Sequence, residues 1–136
     1  MLSDDEVTYL QSQRLARLAT VGPNGQPTVD AVGFEFDGEQ FFIGGHNLPA
    51  SRKYRNIISG SHQVALIVDD LVATDPWTPR GIKIHGVAEI ESRTGMFGLG
   101  DYFVITRTVA WSWGVLAPTF GEQGPLWHKT VWPATS

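Results

Sequence analysis

The sequence contains no cysteine in its 136 residues, which excludes disulfide bonds, thiolate metal ligands and a cysteine nucleophile. It also lacks any hydrophobic run near the ~18 residues that a membrane-spanning helix requires. Its first residues, Met1 to Glu6, are acidic, whereas a secretory signal begins with positive charge. We therefore expect a cytoplasmic protein with no membrane partner.

Basic residues are also scarce, with ten Lys and Arg against fourteen Asp and Glu and a net charge of −4. A chain with this balance has no general affinity for nucleic acid, so any anion site must be local. The four histidines, at positions 46, 62, 85 and 128, show no metal-binding spacing such as His-x-x-x-His. We expect neither a nucleic-acid partner nor a metal site.

The apolar content, 42% of the residues, is enough for one ordinary core, so residues 1–136 are predicted to form a single domain. Apolar or alternating segments predict six strands, at residues 15–21, 27–36, 40–44, 64–68, 81–90 and 102–113. The fourth is apolar at consecutive positions, which predicts burial on both of its faces. Residues 69–80 are predicted to be a loop, and residues 92–100 are weakly helical at best.

Short helices are expected from Ser3 to about Gln13, where a capping box opens the segment, and from Ser51 to about Ile58. Six strands at this spacing predict a mainly β protein, a six-stranded antiparallel barrel that is closed or nearly closed. The tail, residues 115–136, is too apolar to be free. It is expected to pack on the barrel or on a dimer partner.

The segment Ser51-Arg52-Lys53 follows an apolar strand and a Gly-Gly turn. Ser51 suits the position just before a helix, where backbone N–H groups without partners attract an anion such as phosphate. Arg52 adds a planar fork of donors and Lys53 adds a point charge. The alternative interpretation is an ordinary surface helix whose Arg and Lys are solvated.

Three stretches together resemble a known family. Ser51-Arg52-Lys53 stands where the family has a Ser-Arg-Lys phosphate motif; Pro76-Trp77-Thr78-Pro79-Arg80-Gly81 is similar to a Pro-Trp-x-Pro-Arg-Gly segment; Ser112-Trp113-Gly114 resembles a closing strand. The family is that of the flavin-binding split barrels related to pyridoxamine 5′-phosphate oxidase. Within it, the similarity is to the actinobacterial group predicted to use the deazaflavin coenzyme F-420, and it runs from the first helix to about Gly114.

The resemblance implies a split barrel, a homodimer and a cofactor in a groove at the dimer interface. Phosphate binding falls to Ser51, Arg52 and Lys53, and Trp113 becomes a neighbour of the cofactor. The residues expected to support the ring or to offer it backbone donors are Ala31, Val32, Gly33, Gly45, His46 and Asn47. The residues expected to help with the anionic tail of the coenzyme are Arg55, Arg80 and Lys83.

Two of these assignments have alternatives that the sequence leaves open. The small residues Ala31 to Gly33 let a flat ring approach the strand, but a tight barrel interior also contains small residues. The segment Gly44 to Asn47 is equally typical of a mobile loop. One departure from the family matters as well: the strand Val29 to Phe34 carries no Arg or Lys, so pyridoxamine phosphate oxidation itself is not expected.

The sequence therefore predicts an oxidoreductase that uses reduced F-420 to transfer hydride to an electron-poor double bond of a small organic substrate. Such a transfer needs the reacting atoms held about 3–3.5 Å apart rather than a side-chain acid. Neither His46 nor His85 is assigned a catalytic role. The alternatives are an FMN-dependent oxidoreductase of the same fold and a carrier that holds flavin, deazaflavin or haem without turnover.

Overall fold

A computed structural model of the chain describes residues 1–122 and 124–133. Helix α1 (Asp4–Ser12) begins at the predicted capping box, in which Ser3 Oγ accepts a hydrogen bond from the Glu6 backbone and Glu6 Oε1 accepts one from the Ser3 N–H at 3.0 Å. A 3₁₀ turn (Leu48–Ala50) leads into helix α2 (Arg52–Ser59), whose N-cap is Ser51. Both predicted helices are confirmed.

The rest of the described chain is mostly strand. The strands are β1 (Leu15–Val21), β2 (Pro27–Gly33), β3 (Glu35–Phe36), β4 (Gln40–Ile43), β5 (Gln63–Thr74), β6 (Trp77–Gly95), β7 (Gly98–Trp113), β8 (Phe120–Gly121), β9 (Gly124–Pro125) and β10 (His128–Val131). The main sheet has the order β2-β1-β5-β6-β7-β4-β3, every neighbouring pair is antiparallel, and β10 adds to β7.

The sheet closes through one bent segment. Strands β2 and β3 stand at opposite ends of the sheet order, yet only the buried Phe34 separates them along the chain. The sheet must therefore curl until its two ends meet, which gives the predicted mainly β, antiparallel split barrel. In the described residues, the sheet has eight strands rather than the six predicted. The predicted strand 27–36 is present but broken, since its first part pairs with β1 and its second part with β4.

Two segments that were predicted to lack strand structure are strands. Residues 69–80 form the end of β5 and the start of β6 around a turn at Asp75-Pro76, with Asp70 paired to Arg80 across the ladder. Residues 92–100 form the hairpin between β6 and β7, with Met96 and Phe97 at its turn and Gly98 at φ 82°. Polar and glycine-rich composition indicated a loop, but cross-strand pairing decided both cases.

The prediction that β5 is buried on both faces is wrong. Its residues alternate, with Val64, Leu66 and Val68 in the core while Ala65 and Ile67 are partly exposed on the other side. The outer positions of β5 are apolar, but their cross-strand neighbours are mixed: Ile67 lies opposite Arg17 and Lys83, and Ala65 lies opposite Ala19 and His85. A groove there, about 340 Å³ in volume, includes in its lining Ala19, Ala65, His85 and Val87.

The C-terminal segment folds back over the end of the barrel. Strand β10 pairs with β7, setting His128 opposite Ser112 and Val131 opposite Val109. Before it, the Leu126 N–H donates to the Thr119 carbonyl at 2.6 Å, and the Thr119 hydroxyl donates to the Pro79 carbonyl. Among the described residues, no helix has the length and apolar character needed to cross a membrane.

Candidate functional site

Helix α2 presents its first turn as a fixed structure. Ser51 Oγ accepts a hydrogen bond from the Tyr54 N–H at 3.3 Å and donates one to the Leu48 carbonyl at 2.6 Å. The backbone N–H groups of Arg52 and Lys53 have no acceptor within residues 1–122 and 124–133, as expected at the start of a helix. Two backbone donors and the positive end of the helix dipole therefore remain available to an anion.

The helix is held in place by contacts on its other side. Asn56 is buried and donates from Nδ2 to Thr20 Oγ1 at 3.0 Å, which joins α2 to β1. The Tyr54 ring stacks on Phe103 at a centroid distance of 6.2 Å, and its hydroxyl donates to Asp101 Oδ2 at 2.9 Å. That hydrogen bond raises the pKa of Tyr54. These contacts hold the first turns of α2 in place, and the last of them brings the Asp101 carboxylate close to the helix.

The cations of α2 are not neutralised by the protein. Arg52 and Arg55 are exposed and Lys53 is partly buried. The salt bridges of the described residues join Arg17 to Asp69, His62 to Glu89, and Arg80 to Asp70, and none involves α2. This gives a local cluster of three positive charges in a protein of net charge −4.

A groove opens next to this helix, between the turn after β4 and the start of β7. It has a volume of about 290 Å³ and its lining includes Gly45, Asn47 and Asp101. A Cβ added at Gly45 would meet nothing within 4 Å, so its backbone faces open space. Asn47 adopts a left-handed conformation with φ 55°. The backbone of this turn is accessible to a flat or extended ligand.

Only some of the β2 residues that were predicted to support the ring lie near this groove. Gly33 lies against the β6–β7 turn, where an added Cβ would be 3.7 Å from the Phe97 ring. His46 meets the edge of the same ring at a centroid distance of 5.8 Å, so Phe97 connects β2 to the turn after β4. Ala31 is exposed, whereas the Val32 side chain is in the core, which is the barrel-interior position of the alternative interpretation.

The remaining predicted residues lie at the far end of β7. Trp113 is opposite Gly81 in the ladder and stacks on Trp127 at 5.3 Å. At about 3.3 Å per residue, Trp113 is up to roughly 30 Å along β7 from Phe103, which contacts α2. Lys83 Nζ is 4.4 Å from the centre of the Trp111 ring. Within one chain, Trp113 and Lys83 are therefore at the opposite end of β7 from the contact with α2.

Arg80 belongs to the same far end and has a partner already. Its Nε and Nη2 atoms donate to the two carboxylate oxygens of Asp70 at 2.8 and 3.0 Å, and its guanidinium lies 4.9 Å from the centre of the Tyr9 ring. The hydrogen bond from Arg80 lowers the pKa of Asp70. Arg80 is therefore anchored to the protein, in contrast to the cations of α2.

The sequence analysis did not identify three residues that shape the groove beside α2 and the far end of β7: Tyr54, Phe97 and Trp127. Phe97 was hidden because its segment was assigned weak helix. The glycines on either side of Met96-Phe97 were the hairpin signal that would have located it. No local pattern marks the stacking of Trp127 on Trp113, because the pairing of β10 with β7 creates it. In the described residues, no group of three or more His, Asp or Glu could hold a metal ion.

Comparison with known proteins identifies the scaffold. The profile of the pyridoxamine 5′-phosphate oxidase family matches residues 2–104. The chain belongs to this family. The resemblance drawn from the sequence is therefore confirmed, and the match ends before the closing half of β7 and the C-terminal segment.

Two proteins that are similar to this chain are named as reductases. A Streptomyces rimosus protein named 5a,11a-dehydrotetracycline/5a,11a-dehydrooxytetracycline reductase is 43% identical over 86 residues, covering 62% of this chain and 60% of that protein. The chain thus spans about 60% of the length of that relative. A solved structure called an F420 reductase is 25% identical with a TM-score of 0.64, covering 80% of this chain and 98% of that one.

A conserved hypothetical protein of Mycobacterium tuberculosis, known from its crystal structure, is 32% identical with a TM-score of 0.56. The similarity covers 68% of this chain and 56% of that one. The two reductase names support the prediction that this chain is an oxidoreductase of the pyridoxamine 5′-phosphate oxidase family.

Proposed function

We propose that the protein binds reduced F-420 and uses it to reduce an electron-poor double bond of a small organic substrate. The observation that carries the proposal is the start of α2, where two N–H groups without a described acceptor stand with the cations of Arg52 and Lys53. The groove that contains Gly45 reaches Leu48 and Pro49 in the turn that leads into this helix. The coenzyme, when bound, supplies the hydride from its reduced ring. The reductase names of similar proteins favour this use of the site.

The roles of the residues follow from their positions. Ser51 fixes the helix start while the Arg52 and Lys53 side chains and N–H groups bind the phosphate of the coenzyme. Gly45, His46 and Asn47 offer backbone donors along the groove, and Gly33 and Ala31 on β2 leave room for the ring. Arg55, exposed on α2, extends the positive charge toward the carboxylates of the coenzyme tail.

The complete site in this proposal needs a second copy of the chain. Trp113 on β7, with Lys83 and Arg80 on the neighbouring part of β6, lies at the other end of the ladder from the contact with α2. In this proposal a homodimer brings these residues to the groove of its partner. The apolar outer groove lined by Ala19, Ala65 and Val87 gives such a dimer a surface to bury. Light scattering on dilute protein is expected to give twice 14.9 kDa; a monomer that still binds F-420 would contradict the shared site.

The experiment that tests the function is turnover under anaerobic conditions. Purified protein is incubated with reduced F-420 and a panel of conjugated enones and unsaturated acids, and the appearance of oxidised F-420 is followed by its absorbance. We expect oxidation that depends on both protein and acceptor. If F-420 binds but is never oxidised by any acceptor, the protein is a carrier.

FMN is the second candidate cofactor, because its single phosphate would satisfy Ser51, Arg52 and Lys53 equally well. It differs from F-420 in having no charged extension beyond the phosphate. The two are separated by calorimetric titration of the same apoprotein with each compound. The proposal requires tighter binding of F-420.

A further inference from the structure

We infer that the cleft between the end of β7 and the C-terminal segment is a substrate-recognition site for flat, conjugated anions such as aromatic or unsaturated carboxylates. The inference rests on the proposed reductase function, whose substrate class it names. It stands on three features: two stacked indoles in the wall of the cleft, two ammonium groups close to those rings, and an open volume of suitable size.

The first feature is an exposed pair of indoles. Trp127 is 57% exposed and stacks on Trp113 at 5.3 Å with an angle of 29° between the rings. The hydrogen bond of Leu126 to Thr119 precedes Trp127, and β10 begins directly after it. A large aromatic side chain held by backbone pairing on both sides, yet left open to solvent, is typical of a binding surface.

The second feature is positive charge close to the rings of Trp127 and its neighbour Trp111. Lys83 Nζ is 4.4 Å from the centre of the Trp111 ring and 5.6 Å from that of Trp127, and Lys129 Nζ is 5.7 Å from Trp111. Neither lysine has a salt bridge within the part of the chain that the structure describes. Asp69, opposite Gly81 in the neighbouring ladder, is a nearby carboxylate, but among the described residues it forms no salt bridge with either lysine. Two ammonium groups beside aromatic faces therefore favour an anionic ligand.

The third feature is the cavity. It has a volume of about 320 Å³, and its lining includes Trp113, Trp127 and His128. Lys83 and Lys129 do not line this volume but lie near the Trp127 and Trp111 rings at its edge. The volume is in the size range of small-molecule sites, whose walls are mainly apolar with a few oriented polar groups. A rigid planar molecule fits such a space at the lowest entropic cost, because it has little conformational freedom to lose.

The chemistry of the ligand follows from these walls. An electron-poor conjugated system stacks favourably on electron-rich indole, and its carboxylate or enolate lies toward Lys83 and Lys129. That is also the electronic character of a hydride acceptor. Trp113 is a wall of the cleft and is also the expected neighbour of the cofactor, so a molecule held here adjoins the proposed reaction centre.

Part of the cleft lies outside the regions that resemble the family. Trp127 and Lys129 lie beyond the family profile, which ends at residue 104, and beyond the sequence resemblance, which ends near Gly114. This C-terminal part of the cleft is the part that we expect to set specificity. Different C-terminal segments on the same barrel would select different substrates.

The test uses calorimetry on the full chain without cofactor and three probes. 2-Naphthoate is flat and anionic, 2-naphthamide is flat and neutral, and cyclohexanecarboxylate is anionic but not flat. We expect 2-naphthoate to bind most tightly of the three. Trp127→Ala should weaken 2-naphthoate roughly tenfold, and Lys129→Gln should reduce its advantage over the amide roughly threefold.

Matched controls separate the cleft from general effects. Trp77→Ala removes an indole that is 60% exposed at the β5–β6 turn, and it should leave 2-naphthoate binding unchanged. The inference is overturned if Trp127→Ala binds 2-naphthoate as wild type does, or if the amide binds as tightly as the acid. F-420 titration of the same variants distinguishes the two proposals: Trp127-dependent naphthoate binding without F-420 binding would preserve the cleft and defeat the proposed function.

Discussion

The two ends of β7 differ in how the chain provides positive charge. At the α2 end, Arg52, Lys53 and Arg55 follow one another on one helix, beside backbone donors. At the Trp113 end, Lys83 and Lys129 come from β6 and β10 and meet only because both strands pair with β7. A compact anion such as phosphate suits the first arrangement, whereas a broad planar anion suits the second. Following the two proposals, we call the α2 end the cofactor end and the Trp113 end the substrate end.

The largest expected effect tests the cofactor end. Replacing both Arg52 and Lys53 with Ala removes two charge-assisted contacts to phosphate, and we expect F-420 affinity to fall about a hundredfold or more, roughly 3 kcal/mol. Fluorescence titration of the coenzyme measures it, and an unchanged unfolding midpoint would show an intact fold. Trp127→Ala is the matched variant from the other end and should lose much less F-420 affinity than the double variant. Equal loss in both variants would remove the distinction between the two ends.

The cofactor end was accessible to sequence analysis because its signals are local. Ser51 as N-cap, the glycine turn before it and the cations after it lie within a dozen residues, and helix capping depends only on neighbours in sequence. The alternation in residues 81–90 and the capping box of α1 were equally local. These are the parts of the fold that were predicted correctly.

The substrate end was not accessible, since strand pairing between distant residues creates it. His128 is opposite Ser112, and Glu6 of α1 accepts from the Ser112 hydroxyl at 2.7 Å, so three separate parts of the chain meet there. The misassigned segments 69–80 and 92–100 have a different cause. Each is a hairpin whose partners are close in sequence, such as Asp70 with Arg80 and Arg93 with Gly100, and this cross-strand pairing overrides a composition typical of loops.

A second prediction tests whether helix α1 stabilises the substrate end through Glu6. Glu6 is 1% exposed and accepts hydrogen bonds from the Ser3 N–H, the Ser3 hydroxyl and the Ser112 hydroxyl. Glu6→Ala leaves the buried Ser112 hydroxyl without that acceptor and removes the capping box, which should cost about 2–3 kcal/mol of stability. Urea denaturation measures the loss, and Glu91→Ala, an exposed acid on β6, should change stability by less than about 0.5 kcal/mol. A Glu6 variant as stable as wild type would mean that α1 does not brace this end.

A third prediction concerns how far the positive charge of the cofactor end reaches. F-420 carries carboxylates beyond its phosphate, and Arg55 is exposed and able to attract them. We expect F-420 to bind about tenfold more tightly than FMN at low salt, with the preference shrinking as salt rises, because exposed charges are screened over about 8 Å at physiological ionic strength. Arg55→Gln should reduce the preference without changing FMN affinity. Tighter binding of FMN at low salt would favour the alternative cofactor.

The smallest expected effect is the acid sensitivity of the ion pair beside the substrate end. Arg80 donates to both oxygens of Asp70, and the Tyr9 hydroxyl donates to Oδ1 at 2.8 Å. The hydrogen bond from Arg80, followed by that from Tyr9, lowers the pKa of Asp70 below its ordinary value. A lowered pKa means that the unfolded chain takes up the proton first as the pH falls. The contribution to stability is therefore complete above about pH 4 and is lost as the pH falls through the folded-state pKa.

Because both side chains are about one-third exposed, solvent screening limits the contribution to about 1 kcal/mol or less. Urea unfolding between about pH 6 and pH 2.5 should show wild type losing up to that much more stability than Asp70→Asn. Asp69→Asn is the matched control, since Asp69 is adjacent but its contact with Arg17 is 3.9 Å long and half exposed. Identical pH profiles for wild type and Asp70→Asn would show that the Arg80 anchor adds nothing to folding, and Arg80 would then be available to a ligand as the cations of α2 are.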